Sequence, residues 1–199
     1  VPLQAQNSIS QLKKVKKLII GGAAVNKTLE KQLLKLPTKV YETYGMTETI
    51  THIAARKLGE KAFTVLPYVT VSYDDRNCLV IHAPRISPEV IITNDIVELV
   101  DENQFIFLGR MDNVINSGGI KLIPEQIEEK LVSVFKERFF VAGIPDAILG
   151  EKLVFVVEGI EKKDFFEKVK DIQSLSKYEI PKEIYFVKCF IETETQKIN

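Results

Sequence analysis

A change of hydrophobic pattern near Gly109 divides this chain of 199 residues into two parts. Before that residue, short apolar runs alternate with clusters of turn-forming residues, which is typical of β-strands joined by tight turns. After it, helix-like runs alternate with strand-like runs. We therefore predict two domains, residues 1–110 and residues 111–199, with the boundary at about Arg110–Asn113.

The first part opens with a strand–helix–strand pattern. The apolar run Leu18–Ile20 predicts a buried strand. Asn26 can cap the helix that follows, because its side-chain oxygen can accept a hydrogen bond from the first helical turn. The leucines expected on one face of that helix are Leu29, Leu33 and Leu36. Pro37 is expected to end the helix, and Lys39–Glu42 to form a second strand, which together favour an α/β layer.

The rest of the first part is rich in hairpin signals. Val69–Tyr73 and Cys78–His82 flank Asp74–Asn77, a cluster of turn-forming residues, and so predict a hairpin. Glu98–Val100 and Gln104–Leu108 predict a second one. We expect these strands to form a meander or a small barrel.

The second part predicts a compact α+β module. Pro124 suits the first turn of a helix, where Glu125 and Glu128 would lie near the positive end of the helix dipole. The apolar stripe of this helix is predicted to comprise Ile127, Leu131, Val134 and Phe135. The remaining predicted elements are strands at Phe140–Ile144, Leu153–Val157 and Ile184–Cys189, and a helix at Lys162–Ile172.

Composition excludes several classes of partner. Lysine plus arginine equals aspartate plus glutamate at 27 each, so nothing favours electrostatic capture of a nucleic acid or an anionic membrane. No apolar stretch approaches the length of a membrane span. The two cysteines are far apart and lack a C-x-x-C spacing, which indicates a reduced, cytoplasmic protein. The chain begins at Val1 without a methionine, and we expect it to be a fragment of a longer protein.

The segment Tyr44-Gly45-Met46-Thr47-Glu48-Thr49 follows a predicted strand and contains residue types suited to a nucleotide. Glycine lets the backbone approach a ligand closely, a threonine hydroxyl can donate to a phosphate, and a carboxylate can hold Mg²⁺. Taken alone, this segment slightly favours a simpler interpretation, a strand-to-helix turn with Thr47 as the cap and Glu48 in the first turn.

A second segment, Gly109–Glu128, is more specific because it reads G-R-M-D-N-V-I-N-S-G-G-I-K-L-I-P-E-Q-I-E. Together the two segments resemble the adenylate-forming superfamily of acyl-CoA synthetases, luciferases and peptide-synthetase adenylation domains. Thr93-Asn94-Asp95 lies where that family usually has T-G-D. The resemblance implies an α/β plus α+β fold: the C-terminal portion of a large ATP- and acyl-binding domain, followed by a small mobile α+β domain.

The resemblance also implies roles for single residues, with ATP, Mg²⁺ and coenzyme A as co-substrates or cofactors. Thr47 would bind the α-phosphate, Glu48 the Mg²⁺, and Tyr44 would stack near adenine. Asp95 would bind the ribose hydroxyls, and Arg110 the same ribose or a phosphate. The nucleotide-binding set is then Tyr44, Gly45, Met46, Thr47, Asp95, Arg110 and Lys197.

Further roles follow for the acyl and thiol substrates. Lys197, in a terminal segment similar to the family's T-x-x-G-K-(I/V), would bridge the attacking carboxylate and the α-phosphate and would be catalytic together with Thr47 and Glu48. Asp112 would be the hinge about which the small domain rotates. The acyl pocket floor would include Gly21, Gly22, Ala23 and Ala24, and the pantetheine tunnel would be lined by Ser117, Gly118 and Gly119.

Departures from the family pattern leave every catalytic group in place. Asn94 replaces a glycine, and asparagine is among the few residues that tolerate a left-handed backbone. Gln196 replaces the glycine before Lys197, and Asn116 replaces a frequent lysine. The family's loop for the β- and γ-phosphates precedes Gly21 and is absent, so we expect this chain alone to be inactive.

The choice of acid rests on finer features. Thr49 and Asp95 are 46 positions apart, a short connection for the superfamily. That spacing and the two motifs resemble the o-succinylbenzoate–CoA ligases of menaquinone biosynthesis. The alternatives are a general aryl- or fatty-acyl-CoA ligase, a carrier-loading adenylation domain, and a non-catalytic binding module of the same fold.

Overall fold

The computed structural model of the protein describes residues 1–132, 134–162, 164–193 and 198. The chain folds as two compact units, residues 1–107 and residues 108–199. The predicted boundary between residues 110 and 111 falls three residues after that division. Within the described ranges, no helix is long and apolar enough to cross a membrane.

The first unit is built on one eight-stranded sheet. Its helices are α1 (Pro2–Asn7), α2 (Ile9–Leu12) and α3 (Lys27–Leu33). Its strands are β1 (Lys17–Ile20), β2 (Lys39–Gly45), β3 (His52–Lys57), β4 (Phe63–Val65), β5 (Thr70–Tyr73), β6 (Cys78–His82), β7 (Ile91–Asp101) and β8 (Gln104–Arg110), of which residues 108–110 belong to the second unit. The strand order is β1-β2-β3-β4-β8-β7-β6-β5.

The predicted strand–helix–strand unit is confirmed. β1 and β2 are parallel neighbours, and α3 connects them. The Asn26 side chain accepts a hydrogen bond from the Leu29 amide at 2.8 Å, as a helix cap should. Leu29 and Leu33 are fully buried and pack with Ile20 in one cluster. The helix ends at Leu33, before Pro37, because the chain tightens into a turn there.

Both predicted hairpins are confirmed, and their strands form a meander. β5 pairs with β6, β6 with β7, and β7 lies beside β8, all in chain order. Aspartates organise both turns through side-chain bonds to the backbone. Asp74 accepts from the Arg76 amide at 2.8 Å, and Asp101 from the Asn103 amide at 2.7 Å. β7 is longer than predicted and includes Thr93–Asp95.

The second unit is an α+β layer. Its elements are β9 (Ile115–Ser117), β10 (Ile120–Leu122), α4 (Pro124–Leu131), β11 (Phe139–Asp146), β12 (Gly150–Glu158), α5 (Phe165–Lys170) and β13 (Glu183–Val187). The sheet order is β10-β9-β12-β11, and β13 pairs in parallel with β12. Both helices pack on this sheet through a cluster that includes Leu131, Phe155 and Phe165.

The predicted helices and strands of this unit are confirmed with corrected limits. α4 starts at Pro124, but it ends at Leu131, so the helical period stops there. Val134 is therefore 48% exposed and does not belong to the predicted apolar stripe. The helix predicted at Lys162–Ile172 is shorter, and the last strand ends at Val187.

Glu128 fastens α4 to the sheet. One of its carboxylate oxygens accepts a hydrogen bond from the Val141 amide of β11 at 2.8 Å. Burial raises the pKa of Glu128 to about 7, against the lowering effect of the Val141 amide, and the nearby Glu125 charge raises it further. The folded state therefore holds this proton at pH values where the unfolded chain releases it.

We predict that Glu128→Gln removes a pH-dependent loss of stability. The pKa of Glu128 is raised in the folded state from the ordinary 4.5 to about 7. The stability that its proton contributes is therefore fully present below pH 4.5 and is lost as the pH rises towards 7. Glutamine keeps the acceptor for Val141 but cannot ionise. In urea unfolding, the difference in free energy of unfolding between the variant and the wild type should grow in favour of the variant by about 2 kcal/mol from pH 5 to pH 8.

The matched control is Glu129→Gln, since Glu129 is exposed on the same helix. Its stability should follow the wild-type pH profile. Parallel profiles for Glu128→Gln and the wild type would contradict the prediction.

Candidate active site

Two residues predicted to contact a nucleotide meet directly in the first unit. The Tyr44 hydroxyl donates a hydrogen bond to the Asp95 carboxylate at 2.5 Å, across 51 positions of sequence. The Tyr44 ring packs edge-on against Phe105, with ring centroids 5.2 Å apart, and near Phe63 at 5.9 Å. The two motifs are thus held together by a polar contact and an aromatic cluster.

The Tyr44–Asp95 contact requires the sheet to curl. Tyr44 lies on β2 and Asp95 on β7, and β3, β4 and β8 separate these strands in the sheet. In a flat sheet they would be roughly 19 Å apart, farther than the two side chains can reach together. The strands from β2 to β7 therefore bend around the cluster that contains Phe63 and Phe105. The sheet is open, with β1 and β5 at its ends, so the predicted meander curls without closing into a barrel.

Gly45 has a structural requirement as well as a predicted binding role. It lies where the register between β2 and β3 shifts. A Cβ atom at Gly45 would lie 2.6 Å from the Thr51 carbonyl oxygen and 2.7 Å from His52 Cα. Any other residue would clash with backbone there, so the motif glycine lets the two strands approach.

The predicted phosphate-binding residues lie on a single 3-10 turn, Thr47–Thr49. Thr47 and Glu48 are exposed and Thr49 is buried. The Thr49 hydroxyl accepts from the Met46 amide at 3.0 Å and donates to the Thr51 carbonyl at 2.7 Å. The alternative of Thr47 as a helix cap is wrong, because Thr49 makes the bonds that fix the turn. Sequence reasoning missed Thr49, although its place in the motif was the available signal.

The segment predicted for the acyl pocket lies beside the same strand. Gly21 follows β1, and a Cβ atom there would collide with the Thr43 hydroxyl of β2, next to Tyr44. Gly22 has a φ of +86°, which favours glycine. Ala23 and Ala24 are exposed. The four small residues therefore form the exit from β1, close to the Tyr44 motif, and Gly21 is needed there because the Thr43 side chain leaves no room for a Cβ atom.

Thr93-Asn94-Asp95 lies within extended β7, so the left-handed backbone considered for Asn94 does not occur. The Asp95 amide donates to the Thr93 hydroxyl at 3.0 Å, and Thr93 is buried. Sequence reasoning also missed Arg76, which reaches this segment from the β5–β6 turn.

In the second unit, Glu125 holds the residues on both sides of the predicted hinge. Asp112 lies in one 3-10 turn and pairs with Arg110 at 3.2 Å, with both side chains exposed. One Glu125 oxygen accepts from the Arg110 amide at 3.3 Å and from the Asn113 side chain at 2.6 Å. A Cβ atom at Gly109 would collide with this carboxylate, so the first glycine of the motif makes room for it. Sequence reasoning considered Glu125 only for the helix dipole.

Ser117, Gly118 and Gly119 form the β9–β10 hairpin end. Gly118 and Gly119 have φ values of +59° and +83°, and a two-residue hairpin turn of type I′ needs positive φ at both positions. The Gly118 amide donates to the Leu149 carbonyl at 2.8 Å. A Cβ atom at Gly119 would meet no atom within 4 Å, so this tip faces open space.

The predicted site residues fall into two sets. The first unit brings together the Tyr44 motif, Asp95 and the segment after β1, while the second contains Arg110, Asp112 and the glycine turn. Lys197 lies outside the described residues. Among the described residues, no three histidine, cysteine or acidic side chains could hold a metal together. Exposed Glu48 fits an ion such as Mg²⁺, which typically uses one or two carboxylates together with substrate phosphates.

Comparisons with known proteins agree on one kind of enzyme. No family model matches the chain. A 2-succinylbenzoate–CoA ligase of Geobacillus sp. (strain WCH70) is 29% identical over 91% of this chain, which spans only 44% of that relative's length. A solved acyl-CoA synthetase (AMP-forming)/AMP-acid ligase II-like protein from Dyadobacter fermentans is 38% identical, with a TM-score of 0.57, over 100% of this chain and 61% of its own.

A third comparison concerns the fold. O-succinylbenzoate coenzyme A synthetase (MenE) from Bacillus subtilis, solved with ATP and magnesium, has a TM-score of 0.77 at 18% identity. The match covers 97% of this chain and 49% of that one. The chain therefore has the fold of the C-terminal part of these enzymes.

We predict that Glu125→Ala loosens the segment on both sides of Asp112. Alanine removes the acceptor for the Arg110 amide and for the Asn113 side chain. The exchange of the Arg110 amide hydrogen with solvent, measured by NMR, should speed up by about tenfold, the equivalent of one lost hydrogen bond.

Two further variants complete the measurement. Glu125→Gln keeps an oxygen acceptor and should retain most of the protection. Glu129→Ala, on the exposed face of α4, should leave it unchanged. Unaltered exchange in Glu125→Ala would mean that these bonds do not hold the segment.

Proposed function

Because the chain belongs to the adenylate-forming superfamily, we propose that it supplies nucleotide, acyl and thiol contacts to an ATP-dependent acyl-CoA ligase. In this reaction a carboxylate attacks the α-phosphorus of ATP to give an acyl-adenylate and pyrophosphate. The thiol of coenzyme A then attacks the acyl carbon, giving a thioester and releasing AMP. The observation that carries the proposal is the Tyr44–Asp95 hydrogen bond, which unites two separate motifs at one place.

The nucleoside end of ATP is assigned to Tyr44 and Asp95. A carboxylate offers about four acceptor positions, so Asp95 can accept from the Tyr44 hydroxyl and from ribose hydroxyls together. The hydroxyl contact and the packing of the ring against Phe105 fix the aromatic face of Tyr44, which would lie near adenine. Met46 packs on the same core and extends this apolar surface, next to Gly45.

The phosphate end is assigned to the turn that Thr49 fixes. Thr47 projects from that turn and would donate its hydroxyl to the α-phosphate. Glu48 would hold Mg²⁺, which neutralises phosphate charge when it is bound. The exposure of both side chains supports this role, since neither is committed to the core. The small residues Gly21, Gly22, Ala23 and Ala24, beside β2, would border the carboxylic acid.

We assign to the second unit the residues that act at different stages, in adenylate formation or in thioester formation. Lys197 would stabilise negative charge on the carboxylate and the α-phosphate during adenylate formation. Ser117, Gly118 and Gly119 would line the path of the thiol, and Arg110 would bind the ribose or a phosphate. Since all of these belong to residues 108–199, rotation of this unit about Asp112 would bring them to the reaction in turn.

The acid we propose is o-succinylbenzoate. The relative named 2-succinylbenzoate–CoA ligase supports it, as does the short spacing between Thr49 and Asp95. The second candidate is a general aryl- or fatty-acyl-CoA ligase. The 38% identical solved protein favours that wider class, because its name specifies no acid.

We predict that Lys197→Ala separates the two half-reactions in the full-length protein. Pyrophosphate exchange should fall by about a hundredfold or more, because the lysine stabilises charge that develops in that step. Thioester formation from supplied acyl-adenylate should stay within about twofold of the wild type, since the lysine has no part in it.

Lys188→Ala serves as the control, because Lys188 is an exposed lysine of the same unit. It should alter neither half-reaction. Equal damage to both half-reactions by Lys197→Ala would make this lysine a structural residue and would reject the two-step assignment.

We also predict that the full-length protein prefers an aromatic acid with a second carboxylate. Pyrophosphate exchange with o-succinylbenzoate should exceed that with benzoate or a fatty acid by about a hundredfold or more. A pocket that pairs the second carboxylate leaves polar groups unpaired when an analogue lacks it. A panel of acids at equal concentration measures this, and a preference for a fatty acid would select the second candidate.

A further inference from the structure

Arg76, at the tip of the β5–β6 hairpin, is held in place by its own turn. The Asp74 carboxylate accepts from the Arg76 amide at 2.8 Å, from the Cys78 amide at 3.0 Å and from Arg76 Nε at 2.8 Å. The Cys78 amide foremost, together with Arg76, lowers the pKa of Asp74 below its ordinary value. The anchoring carboxylate is therefore ionised at neutral pH, and the guanidinium has a defined direction.

The two terminal nitrogens of this guanidinium reach β7. Arg76 Nη1 donates to the Asn94 side-chain oxygen at 3.0 Å, and Nη2 donates to the Thr93 carbonyl at 3.1 Å. A planar guanidinium is suited to two such parallel bonds, whereas a lysine ammonium is not. Arg76 thus grips two consecutive residues of β7 at the same time.

The two gripped residues come immediately before Asp95. The Asp95 amide donates to the Thr93 hydroxyl, so the same segment also fixes the backbone of Asp95. The Tyr44 hydroxyl fixes its carboxylate. A shift of Thr93 and Asn94 would therefore move the Asp95 carboxylate.

Asn94 takes part in this grip through its side chain. The related T-G-D segment has glycine at this position, and glycine offers no side-chain acceptor. Here the asparagine oxygen supplies one of the two acceptors for Arg76. The departure from the family pattern and the arginine on the neighbouring hairpin are two halves of one contact.

We propose that Arg76 is a positioning residue that sets the Asp95 carboxylate for the ribose hydroxyls of ATP. This inference rests on the proposed function, because it takes Asp95 to be the ribose ligand. Arg76 itself need not touch the nucleotide. Its effect should appear only with nucleotides whose hydroxyls Asp95 can bind.

The experiment compares ATP with 2′,3′-dideoxy-ATP in pyrophosphate exchange by the full-length protein. In the wild type, ATP should have a KM about tenfold or more below that of the dideoxy analogue, which lacks the hydroxyls. Arg76→Ala should raise the KM for ATP about tenfold and leave the KM for the analogue within about twofold. The kcat should change little, because the ribose contact is present before and during the reaction.

Further variants separate positioning from folding. Arg76→Lys keeps the positive charge but loses the planar set of N–H donors of the guanidinium, and its KM for ATP should resemble that of Arg76→Ala. Asn94→Gly removes one of the two bonds and should give an intermediate KM for ATP. Arg85→Ala removes another arginine of the first unit, one that stacks on Tyr68, and it should match the wild type with both nucleotides.

Each remaining outcome is decisive. If Arg76→Ala raises the KM for both nucleotides equally, or retains the wild-type preference for ATP, the positioning role is overturned while the proposed function stands. If the wild type itself does not distinguish the two nucleotides, Asp95 is not the ribose ligand, and the inference falls together with the proposed nucleotide site.

Discussion

The hydrogen bond from Tyr44 to Asp95 can exist only because the eight-stranded sheet curls, and the rest of the first unit follows from that curl. Bending the strands around Phe63 and Phe105 creates the concave side on which the apolar core collects. It also brings the end of β2 to β7, so that residues 51 positions apart become neighbours. Without the curl, the two motifs would lie at different places on a flat surface.

Several motif residues have a reason to be where they are before any ligand is considered. Gly45 is needed because the backbone of β3 passes too close for a Cβ atom, and Gly109 because the Glu125 carboxylate occupies that space. Glu128, the last residue of the longer motif, ties a helix to a strand. A sequence motif of this kind therefore records folding constraints together with catalytic ones, and a match to it predicts the fold more firmly than the substrate.

The sequence predicted those parts of the fold that short-range chemistry decides. The Asn26 cap, the Asp74 turn and the start of α4 at Pro124 each depend on atoms within about four residues, which a sequence displays directly. The curl of the sheet depends on contacts between distant residues, so the sequence left open whether these strands form a meander or a small barrel.

The candidate site divides in the same way. Motif residues such as Tyr44 and Asp95 were found from the sequence, whereas the groups that support them were missed. Arg76 and Glu125 act through partners 18 and 15 positions away, on other elements, and nothing in their immediate surroundings indicates this. Val134 was assigned to the core because the helical period was continued past Leu131, where the backbone leaves the helix.

The hairpin end at Gly118 and Gly119 limits how the second unit can act. A two-residue turn is the shortest link between antiparallel strands, and the Gly118 amide is also bonded to Leu149. So short a turn leaves the tip little conformational freedom, and it therefore moves together with its two strands and not as a flexible loop. Any large displacement of Gly118 and Gly119 must therefore be a displacement of the β9–β10 hairpin together with the sheet to which it belongs. A more rigid turn would reduce that displacement very little.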